Sequence, residues 1–309
     1  MRAAGLLIAA ALAVEVLLRA GVPPNVRARQ DREVRGARVL VLGDSFSLDL
    51  DGMAVGLLKA DLAVRGVTLV SLAQPGFGPR NYRDSLNEAL ASHRPDVAIL
   101  NYYVGNDVSD TMRDRRDVPD WRARAGPVLR RSYVAALALD AAGAARQWWR
   151  MRDVTAAADA TGALNPFLVD LGQREPAYLA WNLDAEGPDA QAAWQQNQRL
   201  LTEVRDRCRE AGVALRVHIW PSTLQVNASH ASFYRALGFR VDDGWTTADR
   251  PQRLLREFCG AEGLDCRDWL PALRAERREL YLERDDHWNA DGHRVAFGLM
   301  RADLTAVLR

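Results

Sequence analysis

The stretch VLVLGDSFSLDL, residues 39–50, decides the fold and raises the question of function. Its first four residues are apolar without a break, which predicts a strand buried on both faces of a sheet. The chain then turns abruptly at Gly43, Asp44 and Ser45. This is either a surface turn whose serine hydroxyl caps the next helix, or a turn that presents a serine for chemistry. Which interpretation holds depends on whether distant segments of the chain supply the other groups that a reactive serine needs.

Short apolar runs alternate with helical patterns of about 10–15 residues on either side of a middle region rich in arginine, alanine and tryptophan. The runs VTLVSL and DVAILNYY precede that region, and VALRVHIW and LDCRDW follow it. This alternation predicts βαβ units and therefore an α/β fold with an open, doubly wound parallel sheet. Ligands bind such sheets outside the carboxyl ends of the strands. Because Ser45, Gly76 and Asn106 follow the first three strands, we expect them at one edge.

The chain divides into an N-terminal segment, a linker and one large domain. Residues 3–18 are apolar apart from one glutamate and follow a single arginine, so residues 1–21 are predicted to be an uncleaved signal anchor or transmembrane helix. The polar, proline-bearing residues 22–36 are predicted to be a linker, and residues 37–309 the domain. Within that domain, the strandless region of about residues 110–188 is predicted to be a helical insertion, a cap over the site edge of the sheet.

The N-terminal segment predicts a membrane-anchored protein on the extracytoplasmic side, in the periplasm or at the cell surface of a bacterium. Two features oppose this prediction. The apolar run is shorter than the roughly 20 residues that span a bilayer, and the arginines that follow it contradict the positive-inside rule for that orientation. An amphipathic or buried N-terminal helix in a cytoplasmic protein is the alternative.

The composition excludes some partners. The 41 basic and 40 acidic residues leave a formal charge of +1, so no basic field favours nucleic acid. His287 and His293 have no third ligand near them in sequence, and Asp49 and Asp51 lack the other ligands of a calcium loop. We therefore expect neither a metal nor another cofactor.

The three cysteines leave two interpretations open. Cys259 and Cys266 are close enough in sequence to close a short disulfide loop, which an oxidising compartment would permit. Together with Cys208 they could equally be three buried thiols, because connectivity cannot be derived from sequence.

A reactive serine needs a base, usually a histidine oriented by a carboxylate, and donors for the oxyanion that forms when it attacks an ester. Of five histidines, His287 stands out because it lies in the polar turn RDDHWNADGH, just before the C-terminal helical pattern. Asp285 precedes it by two residues and Asp286 by one. Ser45, His287 and one of these acids are therefore the candidate catalytic group.

These motifs resemble those of the SGNH or GDSL-like hydrolases. The first block of that family, a strand followed by Gly-Asp-Ser, is matched at Ser45. The second, a glycine after the second strand, is matched by SLAQPGFG, with Gly76 as the first choice and Gly78 as the neighbouring one. The third is matched by VGND, in which Asn106 supplies the amide. The resemblance implies an oxyanion hole formed by the N–H groups of Ser45 and Gly76 and the side chain of Asn106.

The last block departs from the commonest pattern of the family. That pattern, Asp-x-x-His-Pro, would place the acid at position 284, which is Arg284 here. Asp-x-His followed by Trp-Asn instead resembles relatives of bacterial exopolysaccharide O-acetyltransferases. On this resemblance Asp285 is the orienting acid and Asp286 the second choice.

The resemblance implies a flavodoxin-like three-layer α/β/α sandwich, and a serine esterase that acts through Ser45, His287 and Asp285. Its substrate would be a small acyl ester or an acylated carbohydrate, such as acetyl groups on cell-surface carbohydrate. Two alternatives remain. One is an O-acyltransferase of an envelope polysaccharide, which would use the same residues. The other is a non-catalytic scaffold or binding protein of the envelope with the same fold.

Overall fold

The computed structural model describes residues 38–116 and 165–308. The predicted anchor and linker, and residues 117–164 of the predicted insertion, lie outside the described residues. No helix among the described residues has both the length and the apolar character needed to cross a membrane.

The described strands form one parallel sheet whose order confirms the predicted fold class. The order β2-β1-β3-β4-β5 is the flavodoxin-like one, and each hydrogen-bonded pair of strands is parallel. Strand order reverses beside β1, so the end of that strand lies where ligands bind in such sheets. The strands are β1 Arg38–Leu42, β2 Thr68–Ser71, β3 Val97–Tyr103, β4 Ala214–Trp220 and β5 Cys266–Asp268.

Helices cover both faces of this sheet. In chain order they are α1 Ala54–Val64, α2 Pro79–Ser92, α3 Asp107–Arg116, α4 Pro166–Arg174, α5 Tyr178–Asp184, α6 Pro188–Glu210, α7 Thr223–Val226, α8 His230–Ala236, α9 Arg250–Glu262, α10 Leu270–Arg274 and α11 Ala290–Val307.

Strand β1 shows why its sequence is apolar without alternation. Val39 and Val41 pack into a core shared with α1 and α11. Leu40 and Leu42 pack into a second core, on the opposite face, shared with α2, α6 and α9. A strand with helices on both faces buries every side chain, which is the condition for an unbroken apolar run.

Two sequence predictions outside the sheet can be compared with the structure. The described part of the predicted insertion is helical, in α3, α4 and α5. Of the two interpretations of the cysteines, the structure has the disulfide: Cys259 of α9 is bonded to Cys266 at the start of β5, with Cα atoms 6.2 Å apart. Cys208 of α6 is free and buried.

Candidate active site

The turn after β1 is so tight that position 43 has no room for a side chain, and the residue there is Gly43. A Cβ atom at Gly43 would lie 2.2 Å from the Oγ of Ser47. The carboxylate of Asp44 accepts from the N–H of Phe46 at 3.0 Å and so caps the one-turn 3₁₀ helix Ser45–Ser47. Ser45 is the first residue of that helix and is half-buried, whereas Phe46 and Ser47 are buried. The local sequence therefore raises Ser45 to the carboxyl edge of the sheet.

The structure brings Ser45 and His287 together across 242 residues of sequence. His287 Nε2 lies 2.8 Å from Ser45 Oγ. On the other side of the ring, Nδ1 lies 3.0 Å from Asp285 Oδ1 and 3.1 Å from Asp286 Oδ1. This chain of contacts, from a hydroxyl to an imidazole to a carboxylate, is the arrangement that activates a serine nucleophile.

Both acids that the sequence offered thus reach the same ring nitrogen, in different ways. The contact of Asp285 with Nδ1 has hydrogen-bond geometry, and its Oδ1 also accepts from the N–H of Asp286 at 2.7 Å. Asp286 Oδ1 is buried and is close enough to Nδ1 for an ion pair, but it makes no hydrogen bond. Asp285 is therefore the acid that can hydrogen-bond to the ring, and Asp286 adds a second negative charge beside it.

These charges set the protonation of His287. Burial alone would lower the pKa of His287, but Asp286 and Asp285 raise it to about 11. Burial likewise opposes ionisation of Asp286, yet the His287 charge lowers the pKa of Asp286 to about 2. The pKa of Asp285 is raised by burial, and its neighbour Asp286 adds to this. Of the two acids, Asp286 is therefore the more firmly ionised.

The loop that carries His287 is closed by backbone pairing. Tyr281 and Trp288 form an antiparallel bridge, and the N–H of Leu282 donates to the carbonyl of His287 at 3.0 Å. Asn289 then ends the loop. Its side chain accepts from the first N–H groups of α11 and donates to the carbonyl of Tyr281 at 3.2 Å. In the sequence HWNAD, the asparagine thus fixes the loop to the helix that follows it.

Residues beyond the predicted set hold the same loop. Thr223 Oγ1 donates to the carbonyl of Asp286 at 2.8 Å, and His230 Nε2 donates to the carbonyl of Leu282 at 2.8 Å. The ring of Phe46 stacks on that of His287, with centroids 5.0 Å apart. Sequence reasoning missed all three. Only for Thr223 was there a signal, because it follows the carboxyl end of β4.

The predicted oxyanion donors differ in the hydrogen bonds that they already make. Gly76 lies in an exposed turn with a φ of +76°, a conformation that favours glycine. The N–H of Gly78 donates to Asn81 Oδ1 at 3.1 Å, so of the two glycines Gly76 is the better candidate. Asn106 Nδ2 donates one hydrogen bond to Asp44 Oδ2 at 2.9 Å, which sequence reasoning did not anticipate. An amide nitrogen carries two hydrogens, so one remains for another acceptor.

One group in the described part of the chain has the residue types of a metal site. One ligand atom from each of Asp285, Asp286 and His287 lies within 4.8 Å of the others. Using His287 Nδ1 as a metal ligand would displace its hydrogen bond to Asp285. The three residues contact one another, and His287 also contacts Ser45.

Comparison with a protein family agrees with this geometry. Residues 171–306 match the family model described as the SGNH hydrolase-like domain of acetyltransferase AlgX. This part of the chain is therefore similar to an SGNH hydrolase-like domain. The matched segment holds His287 and both acids. Ser45 and Asn106 lie outside it, and Ser45 is joined to it by the contact with His287. The match and the geometry together support an enzyme that acts on ester bonds.

Solved structures of related description overlay most of the chain at low identity. An acetyl xylan esterase, AlAXEase, is 13% identical with a TM-score of 0.48, and the overlay covers 86% of this chain and 98% of that one. A lipase/acylhydrolase from Enterococcus faecalis is 12% identical with a TM-score of 0.43, covering 88% and 97%. Esterase EstA from Pseudoalteromonas sp. is 10% identical with a TM-score of 0.44, covering 88% and 98%. No curated protein matches the chain.

Proposed function

We propose that the protein is a serine esterase in which Ser45 is the nucleophile, His287 the general base and Asp285 the orienting acid. The single observation that carries this proposal is the continuous contact from Ser45 Oγ through the His287 ring to Asp285. An unassisted serine hydroxyl is a poor nucleophile, and a histidine at hydrogen-bond distance removes that limit.

In the proposed reaction, His287 Nε2 takes the proton of Ser45 as Ser45 Oγ attacks the acyl carbonyl. The N–H groups of Ser45 and Gly76 and the free hydrogen of the Asn106 amide stabilise the oxyanion. His287 then gives its proton to the departing alcohol, which leaves an acyl-enzyme. A water molecule, deprotonated by His287, hydrolyses that ester and restores the serine.

The finer proposal is that the acyl group is acetyl and the alcohol a cell-surface carbohydrate. The description of the matched family as an acetyltransferase supports it, as does the predicted N-terminal anchor on the extracytoplasmic side. The disulfide between Cys259 and Cys266 fits an oxidising compartment. Acyl transfer to a polysaccharide hydroxyl in place of water is the second candidate, favoured by the same family description.

A fluorophosphonate probe tests the nucleophile. We expect the wild-type chain to be labelled and Ser45→Ala not to be. Ser47→Ala is the matched control, because Ser47 lies on the same turn but is fully buried and bonds to Asn101. Labelling of Ser45→Ala equal to the wild type would refute the assignment. An unlabelled, folded wild type would favour the non-catalytic scaffold.

A second experiment separates hydrolysis from transfer. Release of p-nitrophenol and of acetate from p-nitrophenyl acetate is measured with and without an added oligosaccharide. Hydrolysis alone gives one acetate per nitrophenol in both cases. Transfer gives less free acetate and an acetylated sugar when the oligosaccharide is present. Failure of every tested sugar to intercept acetyl would argue against the transferase.

A further inference from the structure

Asp44 is a buried carboxylate for which the proposed reaction has no direct use. Only 1% of its surface is exposed. One oxygen, Oδ1, accepts from the N–H of Phe46 at 3.0 Å, and the other, Oδ2, accepts from Asn106 Nδ2 at 2.9 Å. Its two oxygens thus connect the turn of the nucleophile to the proposed oxyanion donor, 62 residues away in sequence.

Capping of the turn does not account for a carboxylate at this position. The N–H of Phe46 needs a single acceptor, which a neutral serine or asparagine side chain could also supply. Burying a carboxylate costs more than burying either neutral group, and burial raises the pKa of Asp44 to about 6. The second oxygen, which holds Asn106, is what a neutral cap would lack.

The orientation of the Asn106 amide depends on this contact. Asn106 Oδ1 is buried and has no hydrogen-bond partner among the described residues. If the amide were rotated by half a turn, its carbonyl oxygen would face the Asp44 carboxylate, and two acceptors would repel each other. The carboxylate therefore selects the rotamer in which nitrogen faces Asp44.

We propose that Asp44 is a positioning residue, which fixes the Asn106 amide so that its second hydrogen is available to the oxyanion. This inference rests on the proposed function. Asp44 does not touch the reacting atoms in this role and acts only through Asn106. Without Asp44 the Asn106 amide can rotate. Its carbonyl oxygen can then face the oxyanion and repel it, where the N–H group would stabilise it.

A double-mutant cycle on p-nitrophenyl acetate hydrolysis tests the proposal. We expect Asn106→Ala to lower kcat by about 10²–10³-fold, the usual loss for one oxyanion donor. Asp44→Ala should lower kcat by about 10-fold or more with little change in KM, because ground-state binding does not need the oxyanion donor. In the double variant Asp44→Ala should cause no further loss. Losses that multiply would overturn the proposal, because Asp44 would then act independently of Asn106.

Two additions keep the test decisive. Asp44→Asn retains the size and one acceptor of the side chain, so it serves if Asp44→Ala does not fold. Its amide nitrogen would face Asn106 and favour the rotated Asn106 amide, so the loss should be at least as large as in Asp44→Ala and should again disappear in the Asn106→Ala background. A readout without catalysis is the ¹⁵N-edited spectrum of the full chain, in which the Asn106 side-chain amide is identified by its loss in Asn106→Ala. That signal should move in Asp44→Asn, and an unmoved signal would overturn the proposal. Failure of the proposed function is distinguishable, because it appears as an unlabelled wild type.

Discussion

Among the described residues, His287 and His218 both contact aspartates, and their electrostatics are opposite. His287 is half-buried, and its Nδ1 lies 3.0 Å from Asp285 and 3.1 Å from Asp286. His218 on β4 is completely buried, with Nε2 3.2 Å from Asp303. The pKa of His287 is raised, whereas that of His218 is lowered. An aspartate at hydrogen-bond distance therefore does not by itself make a histidine basic.

The neighbours of the aspartate explain the difference. Asp303 also accepts from Arg267 Nε at 2.8 Å, and Arg216 lies 3.8 Å away. Burial is the largest cause of the lowered pKa of His218, and the two arginines add to it by repelling an imidazolium. His287 instead faces two carboxylates. Only the second arrangement stabilises the imidazolium that forms when a neutral His287 takes the proton of Ser45 in the proposed mechanism.

The largest expected effect comes from breaking the first pair. His287→Ala should lower kcat/KM for p-nitrophenyl acetate by about 10⁴-fold or more, because Ser45 loses its base. Fluorophosphonate labelling should slow in parallel, and the cooperative thermal transition should persist because the loop is held by its own backbone pairing. Undiminished labelling would mean that another group activates Ser45.

His218→Ala should have the opposite profile. It removes the buried ring that contacts Asn101 Oδ1 and Asp303 Oδ2 and leaves a cavity, so we expect a loss of about 2–4 kcal/mol in the free energy of unfolding. In the fraction that remains folded, kcat should stay within a few-fold of the wild type. Urea unfolding and active-site titration of the same samples measure both quantities. A kcat loss comparable to that of His287→Ala would place His218 in the reaction.

His293 is a third case, a buried histidine whose pKa burial lowers to about 4. Its Nδ1 accepts from the N–H of Ala54 at 3.2 Å, so the ring is neutral. Below about pH 6.5, His293 binds a proton in the unfolded chain but not in the folded one. Its contribution to the free energy of unfolding is therefore fully present above that pH and is lost as the pH falls toward 4. Between pH 7.5 and 5, wild type should lose about 1–2 kcal/mol more than His293→Gln in urea unfolding. Parallel curves for the two proteins would contradict the lowered pKa.

Sequence reasoning was sufficient for β1 because its apolar run is unbroken and ends at a glycine. The other strands include polar residues, and their alternation with helical patterns located them. Sequence reasoning was insufficient for α7, α8 and α10, because elements of four to seven residues are too short for a helical period to appear. His230, for example, follows the largely polar stretch NAS in the sequence, but it is buried at the start of α8.

At the site, the residues that sequence could identify are those that sit in a motif at a strand end or before the last helix. The structure brings Ser45, His287 and Asp285 into contact, while their catalytic roles remain predictions. The bond between Asp44 and Asn106 could not be foreseen, because it joins two blocks that were each interpreted separately. The preference for Asp285 over Asp286 came only from the family resemblance, since neighbouring residues in an irregular loop have no periodicity to fix their directions.

The smallest expected effect divides the two acids beside His287. Asp286→Asn removes a negative charge next to the ring, so the pKa of His287 should fall. Ser45 needs His287 in its neutral form, and kcat/KM therefore rises with pH through that pKa. In the wild type, the midpoint of this rise in kcat/KM should lie above pH 6.5. In Asp286→Asn the midpoint should move down by about one pH unit or more, with little loss in the highest kcat/KM reached at alkaline pH.

Asp285→Asn should behave differently, because it replaces the charged acceptor of Nδ1–H with a neutral amide that can donate to Nδ1 instead. The expected result is a lower kcat/KM at alkaline pH, by about 10²–10⁴-fold, since the ring loses the tautomer that leaves Nε2 free to accept. Glu283→Gln is the control, an exposed acid of the same loop that should leave the profile unchanged. If Asp286→Asn lowers the highest kcat/KM and Asp285→Asn only shifts the midpoint, then Asp286 orients the ring and the hydrogen-bond geometry of the free protein is not the one used in the reaction.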